Sequence, residues 1–172
     1  VNGESFMDFS SLEIDDQVVV LGKYYRMLSI AMGDKIDEFL NAVHDELLAL
    51  DESDSSQCLL LVRRLYGAFQ GVRDNKHDLC IEFLSTDDHK DRFIAIIKAQ
   101  KEYPQISKAI CSLYAYANNK FHMRVSNNEN GIVFVHKVME ILQEIGSLDD
   151  CNEKMVGAVK IIQAALMHPT SN

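Results

Sequence analysis

His77-x-x-Cys80, with His89 downstream, is the nearest approach to a metal-binding cluster in this chain of 172 residues. Zinc takes four ligands in a structural site, or three and a water in a catalytic one, drawn from Cys, His and carboxylates at short spacings. His77, Cys80 and His89 supply three, with no fourth at the customary spacing. No metal site is expected. Cys111 stands next to Ser112 with no base beside it in sequence, and the six histidines are scattered over helical segments. A nucleophile and its base would therefore have to be assembled in three dimensions. Neither G-x-x-x-x-G-K-[ST] nor G-x-G-x-x-G occurs, so nucleotide binding has no support and no cofactor is expected. The chemistry left to the chain is recognition rather than catalysis.

Charge narrows the partner. Acidic residues number 26 against 17 basic ones, a formal net charge of −9. Binding to a phosphate backbone depends on clustered Lys and Arg that displace condensed counterions, so nucleic acid is not an expected partner. Arg63-Arg64 could read an acidic partner or simply form a solvated helix face, and Glu38, Asp45 and Glu46 read as an acidic face turned to solvent. The four cysteines, Cys58, Cys80, Cys111 and Cys151, are widely spaced among apolar residues. A chain of this size needs no staples, and they read as free buried thiols in a cytoplasmic or nuclear protein. Val1 opens the chain without Met and without a signal-peptide core, which is expected of a piece excised from a longer protein.

The elements that would position these residues are helices. Two prolines, eight glycines and no tryptophan leave little punctuation for a many-turned β protein, and 47 % hydrophobic residues suffice for one sizeable core. The longest apolar runs, such as Val18 to Leu21, fall far short of the roughly 20 residues that span a bilayer, so no membrane helix is expected. Residues 1–15 are expected to form a mobile or loosely docked arm, and 16–172 one helical domain. Asp15 or Asp16 would cap a first helix through Met32, with Gly33-Asp34 stopping it and capping the next, which runs to Leu50. The polar turn from Asp51 to Ser56 offers N-caps to a helix through Arg73. Short helices follow from His77 and from Asp88, and Pro104 opens another at a position where its missing N–H costs nothing. That helix places Ile106, Ala109, Ile110, Leu113 and Ala117 on one face, so Leu113 is expected in the core. It is expected to break at Asn118-Asn119-Lys120. A further helix should open after Gly131, whose φ is expected to be positive, and Glu153 to Met167 forms the last.

The segments also repeat. Leu61 to Ala68 aligns with Ala109 to Tyr116 at a shift of 48, which superposes Leu65-Tyr66 on Leu113-Tyr114, and Ala158 to Ala165 follows at a further 49. Periods of about 40 to 47 residues mark stacked helical units that share one continuous core. The stretch from Ile106 to Leu142 has small residues in a first helix, a polar loop closed by Gly131-Ile132 and an Ile-rich helix after it. It resembles an armadillo repeat.

The resemblance implies an all-α, armadillo-like α-solenoid of about three repeats behind an N-terminal helical cap. In that family the last helix of each unit lines a concave groove, and a repeated Asn clamps an extended peptide. Gly67, Ala115 and Ala164 stand at the matching positions, so importin-like capture of basic peptides is not implied. The groove would be lined by Arg63, Gly67 and Gln70, then Cys111, Ala115 and Asn118, then Lys160, Ala164 and Met167. Small centres there would admit a helical or extended segment of another protein, and a homodimer is a further option. Tyr66, Tyr114 and Tyr116 could anchor that partner or pack between helices. Two other classes stay open. One is a compact Bcl-2-like bundle that binds an amphipathic helix or self-associates, although the Asn-Trp-Gly-Arg signature is missing. The other is a helical enzyme whose site is assembled in space.

Overall fold

The structure is a computed structural model and describes residues 9–125, 129–146 and 160. Among these it is all helical, with no strand. A 3-10 turn at Phe9–Ser11 precedes α1 (Ile14–Asp34), α2 (Ile36–Ala49), α3 (Ser55–Gln70), α4 (His77–Ser85), α5 (Asp87–Ala99), α6 (Pro104–Val125) and α7 (Glu129–Gly146). The described end of the arm, from Phe9 onward, is docked. Phe9 packs against the core, and the buried Gln17 amide donates to the Leu12 carbonyl at 3.0 Å and to the Ser56 hydroxyl at 3.1 Å. Residues 1–8 lie outside the described residues, as does most of the expected last helix.

Several boundaries follow from local chemistry. The Asp54 side chain accepts from the Gln57 N–H at 3.1 Å and caps α3, as the DESDSS turn suggested. Asp15 and Asp16 sit in the first turn of α1, where carboxylates favour the positive end of the helix dipole, but the helix already begins at Ile14. Helix α1 also runs through Gly33 to Asp34, leaving Lys35 as the joint with α2.

Two further expectations are overturned. Gly131 lies inside α7, which starts at Glu129, and no described glycine has a positive φ. The expected break at Asn118-Asn119-Lys120 is absent, because α6 runs on to Val125. Packing outweighs the weak helix propensity of the two asparagines. Asn118 is buried, Phe121 packs on Phe69 with ring centroids 6.2 Å apart, and Lys120 reaches across to α3. There its ammonium donates to the carbonyls of Phe69 and Gln70 at 3.1 and 2.9 Å. The Phe69 carbonyl also accepts from the Val72 N–H at 3.4 Å, and a cation at that end complements the dipole. Lys120→Met should cost about 1 to 3 kcal/mol in a urea titration. An unmoved midpoint would show that water replaces the ammonium without loss.

The helices pack in two connected sets. Helix α1 lies along α3, and α3 packs on α6; α2 packs on α5, α5 on α7, and α7 on α4. Helix α6 joins the sets, touching α1, α3, α4, α5 and α7. Its residues Ile106, Ile110, Leu113, Tyr114 and Ala117 are fully buried, with Phe93, Ile96 and Ile97 of α5 and Phe134, Val138 and Ile141 of α7 in the same core. Leu113 therefore sits in the core as its spacing indicates. Arg92 donates to the Leu47 carbonyl at 3.2 Å and to that of Leu50, closing the last turn of α2 from α5.

Candidate functional site

In its first two units the expected concave face is filled at the centre rather than open. Gly67 is buried, Cys111 has no exposure, and Ala115 and Asn118 retain 7 % and 6 %. Arg63 and Gln70 are half-buried. An added Cβ at Gly22 of α1 would stand 3.0 Å from the Arg63 guanidinium, which places Arg63 beneath α1 rather than over a groove. Lys160 is helical and exposed, while Ala164 and Met167 lie outside the described residues. The physical reason is that small residues at the centres of α3 and α6 allow close packing inside the chain itself, so the space expected for a partner is already occupied. The inference that Ala115 is an exposed groove position is thus corrected.

The tyrosines divide. Tyr114 is wholly buried, donates to the Leu84 carbonyl at 3.0 Å and meets Phe93 edge to face. Burial holds its hydroxyl well above the ordinary value. Tyr66 and Tyr116 are half-buried and pack on each other at 5.1 Å, with the Arg63 guanidinium 5.3 Å from the Tyr66 ring and the Lys120 ammonium 5.5 Å from that of Tyr116. Tyr66 and Tyr114, superposed by the shift of 48, are therefore not equivalent in packing.

The residues singled out for metal or nucleophilic chemistry are dispersed. His77 is buried against the Phe121 ring at 4.3 Å, and His89 packs on Phe83 at 4.0 Å. No group of three potential ligands gathers among the described residues. Burial pushes the thiols of Cys58, Cys80 and Cys111 up to about 12, so each is held as the poorly nucleophilic thiol.

What the sequence did not reveal is a pair of histidines, 45 residues apart, in a cleft between α2 and α4. His44 Nδ1 and His89 Nε2 are 2.6 Å apart, and His89 Nδ1 lies 2.8 Å from the Phe83 carbonyl. A carbonyl only accepts, so His89 carries its proton on Nδ1 and its Nε2 accepts from the Nδ1–H of His44. Helix α2 supplies His44 from the turn after Leu40, while α5 supplies His89 from its first turn, just beyond the Thr86 junction. The cleft holds about 460 Å³. Leu40, Leu79 and Phe83 give it apolar walls, and Asp37 and Glu82 stand at its edge. No local signal could have paired the two rings, because each is unremarkable on its own helix.

Burial holds the His89 imidazole below its ordinary value of 6.5, with His44 acting in the same direction and the Phe83 hydrogen bond and Asp88 opposing. The folded chain therefore resists a proton that the unfolded chain accepts. Stability is unaffected by this group above its unfolded value, and falls as the pH drops below 6.5 until the depressed folded value is passed. The slope contributed is at most about 1.4 kcal/mol per pH unit. Melting between neutral and mildly acid pH should thus fall more steeply for the native chain than for His89→Gln. Parallel slopes would show that His89 titrates alike in both states.

No family model, curated protein or solved structure matches this chain.

Proposed function

We propose that the chain is a non-enzymatic interaction module, an adaptor or regulatory scaffold, that binds a segment of another protein. The observation that carries this reading is the open cleft between α2 and α4, with apolar walls and a polar edge, on an otherwise well-packed helical framework. Interfaces of that composition take an anchor side chain in the centre and exclude water around it. No helix among the described residues is long and apolar enough to cross a membrane.

The framework itself we read as an armadillo-like stack of about three units. The succession of α1 on α3 and α3 on α6 in one set, with α2, α5 and α7 in the other, supports it. The enclosure of α6 favours a second reading, a compact bundle around one central helix of the Bcl-2-like type, since a helix buried on nearly every side is the mark of such a centre. Small-angle scattering separates them. An elongated, curved particle supports the stack, and a near-spherical one removes it.

Binding is tested by selecting random peptides displayed on phage against the immobilised full chain, then titrating the enriched peptides in solution. Saturable binders that compete with one another are expected. Repeated selections that enrich nothing above the bare support would overturn the interaction reading.

A further inference from the structure

We propose that the cleft between α2 and α4 receives a basic side chain, lysine or arginine, carried beside apolar residues on a segment of a partner protein. This rests on the protein-binding reading above and assigns it a surface and a class of partner.

The hydrogen-bond chain sets the polarity of the site. The Phe83 carbonyl fixes the proton of His89 on Nδ1, His89 Nε2 accepts from His44, and neutral His44 is left with Nε2 as an acceptor. Every formally charged group lining the cleft is a carboxylate, Asp37 and Glu82. Asp37 already holds the Lys76 ammonium at 3.2 Å, so the edge accepts an ammonium in the chain's own structure. Glu82 is exposed and makes no ion pair among the described residues. A cationic donor head between Glu82 and His44 would meet acceptors on both sides.

The walls suit what carries such a head. Leu40 and Phe83 are 8 % and 6 % exposed and form the floor, while Leu79 keeps 36 % exposure at the mouth. The methylene stem of a lysine or arginine lies along apolar surface of this kind while its charge reaches the polar edge. A net charge of −9 draws a basic segment from a distance and disfavours an acidic one. Burial disfavours a positive charge on His89, in keeping with its Nε2 accepting from His44.

Fluorescence polarisation with the full chain tests this, using a labelled short peptide of leucine and lysine and a counterpart with glutamate in place of lysine. The lysine peptide should bind, the glutamate peptide at least about tenfold more weakly. Glu82→Lys, at an exposed position that leaves the fold intact by circular dichroism, should weaken the lysine peptide by about tenfold or more, and Leu79→Asp should weaken it too. Glu102→Lys makes the same charge change outside the cleft and should have little effect. Equal loss from Glu82→Lys and Glu102→Lys, or equal affinity for the two peptides, would overturn the assignment. If neither peptide binds while displayed peptides of other composition do, the basic-side-chain assignment fails and the interaction reading stands. If display also yields nothing, both fail.

Discussion

Ala115→Arg is expected to abolish cooperative unfolding, leaving a chain without a sharp thermal transition. Ala115 is 7 % exposed on α6, between the fully buried Tyr114 and the half-buried Tyr116. An arginine there must displace packed neighbours, which costs about 1 to 3 kcal/mol in typical cores. A guanidinium buried without a partner adds several kcal/mol more. Together these approach the whole stability of an ordinary domain, about 5 to 15 kcal/mol. Ala115→Ser, which adds one small polar atom, should melt within a few degrees of the native chain. A native-like melt for Ala115→Arg would mean that the long side chain escapes to solvent, and would reopen the face formed by α3 and α6 as a surface.

Tyr114 carries the second large effect. Tyr114→Ala removes a ring that touches Phe93 of α5 and Phe134 of α7 at 5.8 and 5.9 Å, so the cavity sits where α5, α6 and α7 meet. Truncation of a buried aromatic typically costs about 3 to 5 kcal/mol, because the surroundings close only in part. Tyr114→Phe keeps the ring and removes only the donor to the Leu84 carbonyl, at about 1 to 3 kcal/mol. Urea midpoints of the two variants thus separate packing from the hydrogen bond. Equal losses for both would mean that the hydroxyl dominates and that the ring pocket collapses without penalty.

The features legible in the sequence were those decided within a few residues. A cap drawn from the turn Asp51 to Ser56, Pro104 at a helix start and the stripe holding Ile106, Ile110 and Leu113 all follow from local geometry. The continuation of α6 through Asn118 was not legible, since its support comes from α3. The Lys120 ammonium is aimed at carbonyls 50 and 51 residues earlier in the chain. Gly131 misled for the opposite reason. A glycine after Asn-Glu-Asn reads as a loop terminus, whereas the helix had already begun at Glu129. Small residues at Gly67, Cys111 and Ala115 were equally consistent with an open groove and with close internal packing, and only the packing of α1, α3 and α6 decides between them. The histidine pair was invisible because it joins α2 to α5 through side chains alone.

Lys120 and His89 also mark where the fold is held by long-range polar contacts rather than by the apolar core. Lys120 reaches carbonyls 50 and 51 residues earlier, while His89 joins His44 from 45 residues earlier and donates to the nearby Phe83 carbonyl. Exposed ion pairs such as Arg64 with Glu46 contribute little by comparison, being screened by solvent and salt.

Backbone hydrogen exchange of the full chain, read with and without a bound display-selected peptide, tests the central claim most directly. Protection concentrated in Ile36–Ala49 and His77–Ser85 is the predicted result, since those helices form the two walls of the cleft. Protection confined to α1, around the exposed Val19, Val20 and Tyr24, would place the binding surface elsewhere and contradict the account.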